Sequence, residues 1–409
     1  MKKLKCKFIP KQWRAKKIYR ICPECNRVFV DNEETACPYC DKKNCPNVID
    51  EMEYMEKRVW TFTESMRVKD KPYGYFRWSK SAFDEYNVLA SCFALWGYNQ
   101  LKSFGYQVPV SKKELAEWNE TIHSWFNPKT HMLEDELLLK RIGRTKGYVN
   151  ALYAYTTRVV IYKNTKCAGI RPLPVSVKEE KKRDVFSTIE STRKWLKENR
   201  RKNNRLYPCS ILAQNLHRHL RTLKAMERRD DGVKDFVHKW LDNRQDKKTG
   251  YWLIPGELPS SSAAIDCFKL LIHLYMPLEW DVYYKEKIID TTLALQTEAG
   301  DFSAEDPCTN FDSLYILYAL TRQTDYRRSD IHLAAARSVI EMKRHWHEDE
   351  CGFSFYRNSC LTGLSVLGEA KLAPARDEAD IYSLVHWLQI PIYVQAILLG
   401  EDPQPKGEK

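Results

Sequence analysis

The chain has no run of 18 apolar residues, and in its first segment, MKKLKCKFIPKQWRAKK, cations interrupt the hydrophobic residues throughout. A membrane-spanning helix needs about 20 consecutive apolar residues and a secretory leader needs a shorter unbroken run. Neither is expected, so the sequence predicts a soluble, cytoplasmic protein with no membrane insertion. Also missing are a P-loop, a dinucleotide-binding glycine fingerprint and a nucleophilic triad pattern, which removes three common enzyme classes. The first 20 residues hold nine Lys or Arg and no acid.

Cysteine, by contrast, is plentiful at 13 residues. Several stand singly in apolar settings (Cys92, Cys209, Cys267 and Cys360), as buried free thiols do in a reducing compartment. Four others form two knuckles, Cys22-Pro-Glu-Cys25 and Cys37-Pro-Tyr-Cys40, separated by eleven residues. A two-residue spacer lets both thiolates of a knuckle reach one ion, and Zn²⁺ takes four such sulfurs in a tetrahedron. The proline after each leading cysteine fixes one torsion of the turn. The pattern predicts a structural zinc ribbon, with Cys45 close enough in sequence to replace Cys40 as fourth ligand. Four thiolates leave no open coordination position, so this metal is expected to hold structure rather than to catalyse.

The net charge is +12, and aromatic content reaches 12%, with 12 Trp and 23 Tyr. Basic runs also occur between Lys178 and Arg205. Beside a zinc ribbon they raise nucleic acid as a partner. A solvated face with a partly docked arm is the preferred reading, because no aromatic-interleaved RNA motif accompanies the charge.

From Tyr73 to Gly400 one pattern returns: a helix, a Gly-aromatic turn, a capping residue, then a second helix with apolar residues around much of its circumference. The clearest turns are Gly74-Tyr75-Phe76, Gly250-Tyr251-Trp252, Gly300-Asp301-Phe302 and Gly352-Phe353-Ser354. They lead into FDEYNVLASCFALWGY, SSSAAIDCFKLLIHLY, TNFDSLYILYAL and EADIYSLVHWLQIPIYVQAIL. Weaker copies lie at Phe126-Asn127, leading to GYVNALYAYTTRVV, and at Leu206-Tyr207, leading to ILAQNLHRHLRTL. Six buried helices, each with a more polar partner, predict a mainly α protein: an (α/α)6 toroid of six helical hairpins preceded by the ribbon. The domains are then a basic arm (1–20), a zinc ribbon (21–50), the toroid (60–400) and a tail (401–409).

This repeat resembles the one shared by squalene and terpenoid cyclases and by the β subunits of protein prenyltransferases. The last copy, GFSFYRNS followed by DEADIYSLVHWLQIPIYVQAILLG, resembles the terminal repeat of bacterial members of that superfamily. The resemblance implies a small-molecule ligand, apolar or ring-shaped, in an aromatic-lined central cavity. The DxDD acid motif of the cyclases is absent, and Asp377-Glu378-Ala379-Asp380 is the nearest approach. Of the prenyltransferase zinc ligands, Asp306-Pro307-Cys308 has the Asp-x-Cys form, but the family's histidine is replaced, and His386 lies one turn deeper. Asp380, Asp377 and Asp312 are the catalytic candidates. Asp84, Glu85, Asp266 and Asp306 join Asp312 and Asp380 as carboxylates at helix mouths for a carbohydrate-active alternative. A third reading is a non-catalytic scaffold that docks onto nucleic acid or a protein through its ribbon and basic surface. His345-Trp346-His347 reads as an exposed turn.

Overall fold

Side-chain oxygens set where most helices begin. Asn47, Asn87, Ser111, Asp135, Ser260, Asp306 and Asp380 each accept a backbone N–H from the first turn that follows, filling one of the donors a helix start leaves unpaired. In the computed structural model, residues 18–31, 36–130, 132–145, 186–202, 212–214, 216–217, 219–220, 232–253, 258–302, 305–364, 367 and 370–400 are described. The fold is mainly helical. The arm before Ile18, the GYVNALYAYTTRVV copy, the Leu206-Tyr207 turn and the tail lie outside the described residues.

Strands β1 (Tyr19–Ile21) and β2 (Val28–Val30) pair antiparallel. The chain continues through α1 (Val48–Ser65), α2 (Val88–Ser103), α3 (Lys112–Ser124), a hairpin of β3 (Phe126–Asn127) and β4 (Met132–Leu133), and α4 (Glu136–Ile142). Next come α5 (Ile189–Lys202), helical residues within 212–220, α6 (Val233–Asp242), and α7 (Ser261–Leu270), which runs on into a π-helical turn at Leu271–Tyr275. The last part holds α8 (Lys285–Leu295), α9 (Pro307–Thr321), α10 (Arg328–Arg344), the hairpin β5 (Trp346–His347) with β6 (Gly352–Phe353), α11 (Ile381–Trp387) and α12 (Ile390–Leu399).

Four helix pairs are described in full: α1 with α2, α6 with α7, α8 with α9, and α10 with α11 and α12. From the second pair onward, the second members pack on one another in succession. Helix α7 meets α9, α9 meets both α11 and α12, and α11 meets α2. The last pair thus touches the first, and α1 also packs on α10. At the α11–α2 contact Gly97 lets the helices come close, since a Cβ there would come within 2.8 Å of the end of the Leu384 side chain. Ile381–Leu399 is apolar and long enough to cross a membrane by length and composition, yet 83% of it is buried inside the protein. Its hydrophobicity serves the core.

The Gly-aromatic turns are not all alike. Gly74, Gly250 and Gly300 have positive φ, a conformation that costs other residues about 1–2 kcal/mol. At the fourth turn Cys351 takes that conformation instead, with φ 55°. Gly352 is needed for space, since a Cβ would lie 2.6 Å from the Phe62 ring and 2.7 Å from Ala379. A second recurrence was not visible in the sequence. Helices α6, α8 and α10 each start from a left-handed residue, Gly232, Tyr284 and Arg327, without a side-chain cap.

The first strands are not a separate bead. Tyr19, Ile21 and Val28 join the main core, whereas Cys22, Phe29, Cys37 and Cys45 form a small cluster of their own. Both strands pack on α10, and Ile21 N–H donates to Pro46 O at 3.0 Å just before α1.

Candidate metal centre and inner-helix wall

The two knuckles fold identically. Cys22 N–H donates to Arg27 O at 2.9 Å and Asn26 N–H to Cys22 O at 2.9 Å; Cys37 N–H donates to Lys42 O at 2.7 Å and Asp41 N–H to Cys37 O at 2.9 Å. The residue after each second cysteine, Asn26 or Asp41, is left-handed, with φ 51° and 59°. This turn aims both sulfurs of a knuckle to one side. The sulfurs of Cys22, Cys25, Cys37 and Cys40 all lie within 4.8 Å of one another, with Cys22–Cys40 at 3.4 Å and Cys25–Cys37 at 3.6 Å. Zn–S bonds of about 2.3 Å place tetrahedral sulfurs just under about 4 Å apart, so the four can bind a metal ion and the set suits zinc.

Burial pushes the Cys22 thiol up, but the Cys25 amide, the Cys40 sulfur and the Glu24 amide outweigh it and bring it down to about 6. One thiolate is thus already favoured by the fold. Cys45 is not a member of the group. Its thiol donates to Lys42 O at 3.3 Å, beneath the site. Among the described residues no other group of three or more His, Cys, Asp or Glu side chains comes together in this way.

The acidic candidates separate. Asp377 is exposed, 3.8 Å from His347. Asp380 is fully buried and caps α11: Oδ1 accepts from Ser383 N–H at 2.8 Å, and Oδ2 accepts from the Ser383 hydroxyl at 2.6 Å and from Leu361 N–H at 2.8 Å. Burial raises its carboxyl to about 7 against these hydrogen bonds. Asp306 spends both oxygens on Thr309, capping α9, and the Cys308 thiol contacts Tyr382 Oη at 3.9 Å. Asp84 is held by Arg141 at 2.8 and 2.5 Å. Asp266 is buried on α7 and Glu85 is exposed. His345, read from sequence as exposed, is fully buried: its ring meets Glu341 Oε1 and Ser354 O, each at 3.1 Å. The Trp387 ring packs over it at 4.5 Å.

Asp312 stands apart. It is only 4% exposed, and its carboxyl has no hydrogen-bond or ion-pair partner among the described residues. Burial pushes it well above the usual carboxylate range, Lys269 opposing and Asp306 reinforcing. It belongs to a stripe. On α9, Cys308, Phe311, Asp312, Tyr315, Tyr318 and Arg322 follow helical spacing and keep some accessible surface, while Ser313, Leu314, Ile316 and Leu317 have none. A similar division marks α11 and the turn after it, where Tyr382, His386, Gln389 and, on α12, Tyr393 keep surface that Leu384, Val385, Trp387 and Leu388 lack; Ile392 and Gln395 of α12 are half-buried as well.

These stripes meet in one aromatic wall. The Tyr393 ring lies 5.3–5.4 Å from Phe311, Tyr315 and Tyr318. Phe268 of α7 is 5.2 Å from Phe311 and Tyr315. At the other side Tyr382 stacks on His386 at 4.0 Å, and His386 meets Trp96 of α2 at 5.5 Å. Two concavities lined wholly by described residues lie elsewhere, on the partner helices. One of about 400 Å³ is lined by Tyr284, Lys285 and Gln323 among others, and one of about 150 Å³ lies between α5 and α6.

The stripe was readable in principle from the Cys308, Phe311, Tyr315, Tyr318 spacing; the isolation of Asp312 was not. No protein-family model matches the chain, and neither curated proteins nor solved structures give a match to it.

Proposed function

We propose that the helical hairpins close into an (α/α)6 toroid, stapled at its start by a structural zinc ribbon, and that the aromatic wall faces its centre. The ligand bound there is apolar or ring-shaped, of the isoprenoid kind that the resemblance to terpenoid cyclases and prenyltransferases implies. The observation that carries this reading is the split burial of α9 and α11. A helix packed only for stability would have no reason to gather its aromatics and its one unpartnered carboxyl on the single face that keeps accessible surface. Ring closure is supported by the packing of the last pair on the first.

Asp312 is the acid of this site. A carboxyl favoured in its neutral form by an apolar surround can donate a proton or hydrogen bond to a ligand. Asp380 fixes Leu361 and the start of α11, so its part is to position Tyr382 and His386. Asp377 sits outside the wall. Cys308 and Asp306 lack the third ligand that a prenyltransferase-type metal needs.

The test is solvent extraction of the purified protein followed by mass spectrometry, with thermal-shift titration of farnesol and squalene. An isoprenoid in the extract, or a rise in melting temperature that Tyr393→Ala abolishes, is the expected result. A glycan in the extract would move the assignment to paired-carboxylate chemistry. No extract, no shift and an experimental structure with a filled centre would remove the reading.

A further inference from the structure

The 150 Å³ concavity between α5 and α6 is lined by Arg193, Leu196, Lys197, Trp240 and Arg244, three cations and no carboxylate. Elsewhere on the surface, arginines commonly sit against acids, as Arg58 does with Glu348, Arg144 with Glu134, and Arg328 with Asp325. Arg193 and Lys197, one helical turn apart and both exposed, have no carboxylate partner among the described residues. The acids nearest along these helices, Glu190, Glu198 and Asp235, do not line the concavity. Arg193 and Lys197, close together on one helix face with no carboxylate partner among the described residues, repel one another, so this side of the concavity favours an anion.

Two of the three cations also lie against aromatic rings. The Arg193 guanidinium lies 5.4 Å from the Phe236 ring, and that of Arg244 lies 4.1 Å from the Trp240 ring. A guanidinium stacked on a ring keeps its N–H edge outward and loses little further freedom on meeting a phosphate. The positive field does not end at the pocket. Helix α5, IESTRKWLKENRRK, contains six Lys or Arg against two Glu, in a chain of net charge +12.

We infer that the α5–α6 concavity is a phosphate-recognition point for the backbone of a single-stranded nucleic acid. A lone phosphate would use the pocket alone, whereas a repeating anion also uses the rest of the basic helix. Guanidinium forks on phosphate oxygens, with an aromatic ring at hand, are the usual means of gripping a strand without reading its sequence. This inference does not depend on the central-cavity reading.

The experiment measures binding of a labelled poly-U RNA to the full chain by fluorescence anisotropy across a salt series. The variants are the triple Arg193→Glu, Lys197→Glu, Arg244→Glu and the milder triple to Gln, each checked for helical circular dichroism and melting temperature. A third variant changes Lys2, Lys3, Lys5 and Lys7 to Gln, which isolates the N-terminal arm. Phosphatidylserine vesicles serve as the competing polyanion. The expected result is an affinity loss of about 10–100-fold in the Glu triple, a smaller loss in the Gln triple, and a log–log salt slope shallower by about two. Unchanged RNA affinity in both triples overturns the proposal. So does vesicle binding that equals RNA binding and falls with the same substitutions, which would make the patch a lipid-headgroup contact.

Discussion

Gly300 lies directly against the backbone of Arg337: a Cβ built on the glycine would approach the Arg337 carbonyl oxygen to 2.2 Å. The turn before α9 is thereby pressed onto the middle of α10, which fixes how one helix pair leans on the next. Because the obstacle is backbone and φ is +101°, neither side can yield cheaply. Gly300→Ala should cost about 2–4 kcal/mol, overpacking added to conformational strain. Gly232 provides the control, since it is left-handed at φ +81° and ψ 4° and the nearest atom to where a Cβ would stand, Ile189 Cδ1, is at an ordinary 3.6 Å, so Gly232→Ala should cost only about 1–2 kcal/mol. Urea midpoints at constant slope separate the two.

Metal removal should reach beyond the ribbon. The four thiolates organise residues too few to build a core alone, but Tyr19, Ile21 and Val28 lie in the main core against α1 and α10. Metal analysis should find about one zinc per chain. Replacing Cys22 and Cys25 by Ser should abolish it, keep most of the helical circular dichroism, and still lower the melting temperature, because the strands lose their anchor. Cys45→Ser should keep the zinc. If zinc persisted after loss of Cys22 and Cys25, Asp306 with Cys308 would be the next place to look.

Asp380 gives a pH signature of defined sign. Its folded value, about 7, exceeds the usual 3.8, so the folded protein holds this proton more tightly than the unfolded chain does. The carboxyl therefore weakens the fold progressively as pH rises from about 4 to about 7, with no further change above. Asp135, raised to about 6 mainly by burial, acts in the same direction, while Glu341, lowered against its burial by His345 and Arg357, acts in the opposite one. Asp380→Asn removes one term and leaves the others. The stability of the variant relative to the parent should rise across that window by up to about 4 kcal/mol. A difference that stays flat between about pH 4 and pH 7 would show that the carboxyl titrates normally.

Helix positions were legible because they rest on local chemistry. Asn87, Ser260, Asp306 and Asp380 announce helix starts within three residues, and the apolar run of α9 marks it as a core helix. The zinc ligands were legible for the same reason, spacing within a turn. What could not be read depends on partners far apart in the chain. Asp312 and Asp377 look alike as acids near helix starts, yet one is buried without a partner and the other is exposed, a difference set by which face of α9 meets α12. Burial of His345 follows from Ser354 and Trp387, and the π-helical turn after α7 has no marker in LIHLY.

The network around Glu341 supplies the last prediction. Glu341 is fully buried, and Arg357 reaches it from the 354–362 loop at 2.9 and 3.1 Å, while also bonding Asp301 at 3.0 Å and Glu305 at 2.9 Å. His345 joins Glu341 to the Ser354 carbonyl, which also accepts the Trp387 indole N–H at 3.0 Å. One arginine thus ties the loop at the rim of the aromatic wall to α10 and to the Gly300 turn. Removing it leaves a buried carboxylate facing His345 and only the longer contact to Arg344 at 3.3 Å, so Arg357→Met should cost about 2–4 kcal/mol. Most of that cost comes from the stranded charge rather than from lost contacts. Adding Glu341→Gln to Arg357→Met should therefore recover part of the loss, because the amide can still bond His345 without carrying charge. Urea midpoints of the two singles and the double measure this coupling, and hydrogen exchange over 354–361 should rise in Arg357→Met. A double variant less stable than either single, with unchanged exchange in the loop, would mean that Arg357 is a surface arginine whose bonds to Glu341 contribute little.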